Sequence, residues 1–94
     1  MIRSFADRDT LRVFQRFRVK RFSFDIQRMA YRKMLLIDAA GFIHDLRIPP
    51  GKRFEKLVGN RDGQYRIRIN EQWRICFNWE GNDAFDVEIA DYHG

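Results

Sequence analysis

The chain is poor in the residues that build covalent cross-links and metal sites. Its 94 residues include one cysteine, Cys76, and two histidines, His44 and His93. A single cysteine excludes an internal disulfide and any multi-cysteine metal site. Within a strand pattern it is expected to be a small packed residue. The only prolines are the adjacent Pro49 and Pro50, so "PPG" is the one place where the sequence forces a turn through proline. No apolar run is long enough to span a bilayer, and "MIRSFADRDT" lacks the apolar stretch of a secretory leader. Both absences lead to the expectation of a cytoplasmic protein with no membrane partner. Lysine and arginine are missing after Arg74, where Glu80, Asp83, Asp86, Glu88 and Asp91 follow. There is no repeat, low-complexity tract or linker.

What remains is rich in aromatics and in positive charge. A hydrophobic fraction of 45% with nine phenylalanines argues for a folded chain, and 94 residues suffice for one core. One domain over residues 1–94 is therefore expected. The formal net charge is +5, and arginine far outnumbers lysine. The planar fork of arginine matches phosphate, so such an excess favours a nucleic-acid or an acidic protein partner. Composition alone does not choose between them.

The N-terminal half reads as helical after a short strand at "MIRSF". Residues 7–16, "DRDTLRVFQR", suit a short helix with acids in its first turn. "FRVKRF", residues 17–22, is a basic, aromatic link without periodicity, whose phenylalanines permit base stacking. Ser23 can cap a second helix running to Ala39, with Ile26, Ala30, Met34 and Ile37 as its buried stripe. Met29 and Leu36 are expected to widen that stripe, and Gly41 to stop the helix. His44 sits in the connector that follows, beside Asp45, where nothing converges on it.

The C-terminal half changes to period two. "QYRIRIN" puts Tyr65, Ile67 and Ile69 on one face, with Arg66 and Arg68 on the other. "WRICFNW" separates Trp73, Ile75, Phe77 and Trp79 from Arg74, Cys76 and Asn78, and "AFDVEIA" separates Phe85, Val87 and Ile89 from Asp86 and Glu88. Three such strands with short turns make an antiparallel meander, open and charged on one face and covered by the helices on the other. The expected class is α+β.

Requiring apolar residues to face each other sets the registers. The first hairpin pairs Tyr65 with Phe77, Ile67 with Ile75 and Ile69 with Trp73, which brings Arg68 opposite Arg74. The second pairs Phe77 with Phe85, Ile75 with Val87 and Trp73 with Ile89, which brings Arg74 opposite Glu88. Like charges directly opposite cost about 0.2–1 kcal/mol, so folding does not ask for the arginine pair. Either Glu88 neutralises Arg74 while Arg68 points into water, or an anion belongs between the two forks. Arg66 on the same surface, and Tyr92 if the alternation continues, favour the anion.

A phosphodiester there would meet two guanidinium groups able to hold its nonbridging oxygens and stabilise added charge. RNA supplies its own nucleophile, the 2′-hydroxyl, so neither a metal nor a covalent residue is needed. A proton acceptor and a proton donor are needed. His93, with an ordinary pKa near ~6.5, suits either role. Tyr92, near ~10, requires cations to make it a base. Asp91 can orient the imidazole or accept the proton itself. The plain alternatives are that Tyr92 caps a hydrophobic edge, that His93 hangs in solvent and that Asp91 accepts a backbone amide.

The stretches "PPGKR", "GNRDGQYRIRI", "QWRICF" and the terminal "DYH" resemble the HigB-type (plasmid-maintenance killer) toxins of the RelE superfamily. The resemblance covers almost the whole chain. It implies a RelE-like fold, with an N-terminal strand and two helices packed on one face of a mainly antiparallel sheet whose C-terminal half is a meander. It implies a ribosome-dependent mRNA endonuclease without metal or cofactor. It also implies a helix-turn-helix antitoxin of the HigA type as partner, through which operator DNA is contacted only indirectly. Active-site residues carry over to Arg68, Arg74, Asp91, Tyr92 and His93, and Lys52, Arg53, Lys56, Arg61 and Arg66 become candidate phosphate-binding groups. Two departures stand out. Val58 occupies a position where several relatives have lysine, and Glu55 one where some have histidine. Weaker cleavage is the expectation from both. The rival readings are a ParE-like inhibitor of gyrase on the same scaffold, and a degenerate binding or regulatory member.

Overall fold

The computed structural model describes residues 1–47, 57–59 and 63–91. In chain order these form α1 (Arg8–Phe14), α2 (Phe24–Ala39), a 3₁₀ turn (Ile43–Arg47), β1 (Leu57–Gly59), β2 (Gln64–Arg68), β3 (Trp73–Glu80) and β4 (Asp83–Asp91). The α+β class is as expected. The proline turn at residues 49–51 lies outside the described residues. Among the described residues no helix is long and apolar enough to cross a membrane.

Both helices start on a side-chain cap. The Asp7 carboxylate accepts from the Thr10 N–H at 2.7 Å, and the Ser23 hydroxyl accepts from the Ile26 N–H at 3.2 Å. Helix α1 ends sooner than its pattern suggests, because Arg16 turns to φ 69°. In α2 the residues Ile26, Ala30, Met34 and Ile37 are buried, the stripe that the three- and four-residue spacing predicts. Met29 packs beside them, but Leu36 is 48% exposed and does not widen the stripe. It stands one turn after exposed Arg32, on the outer side of the helix. The helix closes on extended backbone at Ala40, and the Asp45 carboxylate accepts from the N–H groups of Gly41 and Phe42. A carboxylate from the following turn, rather than a left-handed glycine, ends the helix.

The basic link is held closely. The Gln27 side chain accepts from the Val19 N–H at 2.7 Å and from Arg18 Nη1 at 2.6 Å, and it donates to the Phe17 carbonyl at 3.1 Å. Val19 and Phe22 are buried, and the Phe22 ring meets Trp73 edge-on with centroids 5.2 Å apart. Phe22 is therefore core, not a stacking surface for bases.

The sheet runs β1-β2-β3-β4, antiparallel throughout. Strand β1 was not legible in its sequence, since three residues are too few to show alternation. The β2–β3 register is the expected one: Tyr65 faces Phe77, Ile67 faces Ile75 and Arg68 faces Arg74. The β3–β4 register departs from the expected pairing. Ile75 faces Ile89 rather than Val87, Cys76 faces Glu88, and Arg74 faces Ala90. Two features cause this. The turn is the two-residue loop Gly81–Asn82, with Gly81 at φ 61° as the first central position of a type II′ hairpin requires. An irregularity between Cys76 and Asn78 then inserts one extra residue into β4, where Asp86 takes φ 54°. The N–H of Asp86 turns to the Ser4 hydroxyl at 2.9 Å. Below the bulge Ala84 points inward, fully buried, and Phe85 shares the open face with its partner Asn78. Phe85 was expected inside with Val87 and Ile89.

The N-terminal segment lies along the far edge of β4, in parallel, as two bridges at Ile2–Ala84 and Phe5–Val87. The Ala84 and Val87 N–H groups donate to the Met1 and Ser4 carbonyls, and the Ile89 N–H donates to the hydroxyl of fully buried Thr10. The inward face of the sheet, Ile67, Ile75, Phe77, Val87 and Ile89, packs on Val13, Phe22, Met34 and Ile37 from the helical layer. Everything of opposite parity is left on the open face.

Candidate functional site

Pairing on the open face begins with the arginines. At one end of the β2–β3 ladder the Trp79 N–H donates to the Gly63 carbonyl, and at the other the Ile69 N–H donates to the Trp73 carbonyl. Antiparallel ladders alternate, so the odd-numbered residues of β2 occupy the hydrogen-bonded pairs and Arg68–Arg74 is a non-hydrogen-bonded one. Such pairs bring Cα atoms to about 4.5 Å with side chains close together. The sequence pattern placed these two charges opposite each other, and the backbone puts them at the closer of the two spacings.

The two arginines are held differently. Arg68 is exposed and forms no ion pair with a described residue. Arg74 is half-buried, and its Nη1 donates to the carbonyls of Asn70 and Trp73. Its guanidinium is thereby drawn toward the β2–β3 loop. Asn70 organises that loop: its side-chain oxygen accepts from the N–H groups of Gln72 and Trp73, each at 2.8 Å. Asn70 was not singled out in the sequence, although an asparagine opening a short turn between two strands is the signal for this Asx arrangement. On the opposite side of the sheet, Trp73 is supported by Phe22 and lies under the Arg21 guanidinium, 5.9 Å from its centroid.

Glu88 does not take the place expected for it beside Arg74. The two-residue turn and the bulge together move it opposite Cys76, one row further along the face, while Ala90 lies across from Arg74. The next row reads Arg66–Cys76–Glu88. Cys76 is half-buried on the open face, on the side its alternation with Arg74 and Asn78 predicts, and so less enclosed than a small packed residue was expected to be. Val58 is the register partner of Arg66 across β1.

Asp91 ends β4 opposite Trp73, and Gln72 Nε2 donates to its Oδ2 at 3.2 Å. Its parity is that of Ile89, so it stands at the rim by the loop and not in the row of the arginines. Of the sequence candidates, Arg66, Arg68 and Arg74 share one face, whereas Asp91 has the parity of the opposite face and stands exposed at the end of β4. Lys52, Arg53, Lys56, Arg61, Tyr92 and His93 lie outside the described residues, as does Glu55. His44 is exposed in the 3₁₀ turn.

The sequence is similar to known proteins over part of its length. Toxin HigB-1 of Vibrio cholerae is 50% identical over 64 residues, covering 68% of this chain and 67% of the relative. An uncharacterized protein of Haemophilus influenzae is 34% identical over 65 residues, covering 69% and 64%. Endoribonuclease HigB of Proteus vulgaris is 34% identical over 41 residues, covering 44% and 45%. A model of the HigB-like toxins matches residues 3–93, which takes in the capped helices, the meander and the arginine rows together. The chain therefore belongs to that family, the RelE-like toxins of type II toxin–antitoxin systems.

Proposed function

We propose that the chain is a cytoplasmic endoribonuclease that cuts messenger RNA on the ribosome, and that its antitoxin is a HigA-type helix-turn-helix protein. An antitoxin partner follows from the family. Endonuclease activity is supported by the name of the Proteus vulgaris relative. The observation that carries the reading is the facing of Arg68 and Arg74 across a close pair of the ladder. A fold has no use for two like charges there, whereas a phosphodiester oxyanion fits between them.

In the reaction the 2′-oxygen attacks the adjacent phosphorus and the bond to the 5′-oxygen breaks. The products are a 2′,3′-cyclic phosphate and a 5′-hydroxyl. The proton of the 2′-hydroxyl passes to a base, and an acid returns one to the leaving oxygen. Arg68 and Arg74 hold the nonbridging oxygens and stabilise the additional charge of the pentacoordinate state. Tyr92 and His93 share the two proton transfers, with imidazole suited to transfer near neutrality. The hydrogen bond from Gln72 supports an anchoring role for Asp91. Lys52, Arg53, Lys56, Arg61 and Arg66 would extend the phosphate-binding surface.

Brief induction in cells followed by mapping of transcript 5′ ends tests this. Codon-phased cuts confined to translated messages are expected, and Arg74→Ala should abolish them. Intact transcripts with growth arrest and DNA damage signalling would overturn the reading in favour of gyrase inhibition.

A further inference from the structure

The bulge in β4 does something that sheet packing does not require. With uninterrupted alternation Phe85 would enter the core with Val87 and Ile89. Instead Asp86 takes a left-handed conformation, φ 54°, and Phe85 emerges on the open face as the register partner of Asn78. It is half-buried, and among the described residues it is not one of the side chains packed on the core. The fold thus gives up burial of a large aromatic and holds a non-glycine residue at positive φ, a combination that points to use rather than packing.

The groups nearest the ring in register, on β3 and β4, offer acceptors, while Gln64 and Arg66 stand one strand further away on β2. Asn78 Nδ2 donates to Asp86 Oδ2 at 3.2 Å, and a carboxylate only accepts, so the amide orientation is fixed and its Oδ1 acceptor is turned away from Asp86. Glu88 lies on the same face, in the row between Phe85 and the arginines. A π-face flanked on β3 and β4 by an amide acceptor and by the carboxylates of Asp86 and Glu88 disfavours phosphate. It suits a nucleobase whose edge carries an amino group. Asn78 stands four residues along β3 from Arg74, about 13 Å at the rise of a strand, against ~3.4 Å per nucleotide in a stacked strand. The ring and the arginines therefore serve different nucleotides.

We propose that Phe85, with Asn78 and Glu88, forms a subsite that stacks and reads an amino-bearing nucleobase of single-stranded RNA, several nucleotides from the phosphate held by Arg68 and Arg74. This rests on the reading of the arginine pair as the phosphate site. Arg68 and Arg74 at one end, Arg66 on the β2 side of the middle row and acceptors beside Phe85 then orient the strand, backbone toward the arginines and one base toward Phe85.

The test uses the purified chain and fluorescein-labelled octamers with 2′-O-methyl riboses, which cannot be cut. Oligocytidine and oligouridine are compared by anisotropy, since these pyrimidines are alike in size and differ in the amino group. Wild type should prefer oligocytidine about tenfold, and Phe85→Leu should weaken it about tenfold while Phe85→Tyr binds as wild type. Arg68→Ala should weaken both octamers alike. Unchanged binding of both octamers by Phe85→Leu, with wild-type thermal unfolding, overturns the subsite even if Arg68→Ala loses affinity and so upholds the phosphate reading. Loss on Phe85→Leu with none on Arg68→Ala or Arg74→Ala upholds the subsite and overturns the phosphate reading.

Discussion

Arg74 donates from Nη1 to the carbonyls of Asn70 and Trp73, whereas Arg68 extends into solvent from the facing position. Truncation should separate these duties. Arg74→Ala removes charge-assisted bonds to the hairpin and should cost about 1–2 kcal/mol in urea denaturation as well as cleavage. Arg68→Ala relieves a like-charge pair, so it should lose cleavage while stability stays level or rises by about 0.2–1 kcal/mol. Equal stability losses in the two variants would contradict the geometry. The facing of the pair was legible in the sequence, because β2 and β3 alternate cleanly and a short loop leaves one apolar register. The inward pull on Arg74 was not, since it depends on where the Asn70 carbonyl points once its side chain has closed the loop.

Elements with strong periodicity could be read directly. The stripe of α2 follows from its 3.6-residue period and the Ser23 cap, and no tertiary contact overrides either. Strand β4 could not, because its register is set by a two-residue turn and then shifted again at the backbone of one residue, Asp86. Asp86 is stabilised at positive φ by Ser4, 82 positions away in sequence, and by Asn78. Local pattern carries no trace of such a contact, and every pairing beyond the bulge inherits the shift. The turns offer a sharper check on backbone conformation. At Gly81, φ 61°, an added Cβ meets nothing within 4 Å, so Gly81→Ala should cost only the left-handed penalty, about 1–2 kcal/mol. At Gly63, φ 79°, the Cβ would also lie 3.2 Å from the Trp79 carbonyl oxygen. Gly63→Ala should therefore lower the denaturation midpoint further than Gly81→Ala does.

Over the whole molecule the charge is divided, with every lysine and arginine at or before Arg74 and an acidic final hairpin. Binding to RNA should accordingly weaken with salt. For single strands the slope of log affinity against log salt is roughly −0.7 per neutralised phosphate, so Arg68→Ala should flatten it by about 0.7. Arg21, which lies over Trp73 on the covered side, should leave the slope unchanged when replaced by glutamine. Titration of the octamers at several salt concentrations measures both.

The segment along the outer edge of β4 has one more consequence. From Ala84 to Ile89 the outward amides are already taken by Met1, Ser4 and Thr10. That flank offers no template for β-augmentation. An inhibitor arriving as an extended peptide would have to peel away the chain's own first residues before it could add a strand there, and a partner that leaves them in place must grip side chains instead.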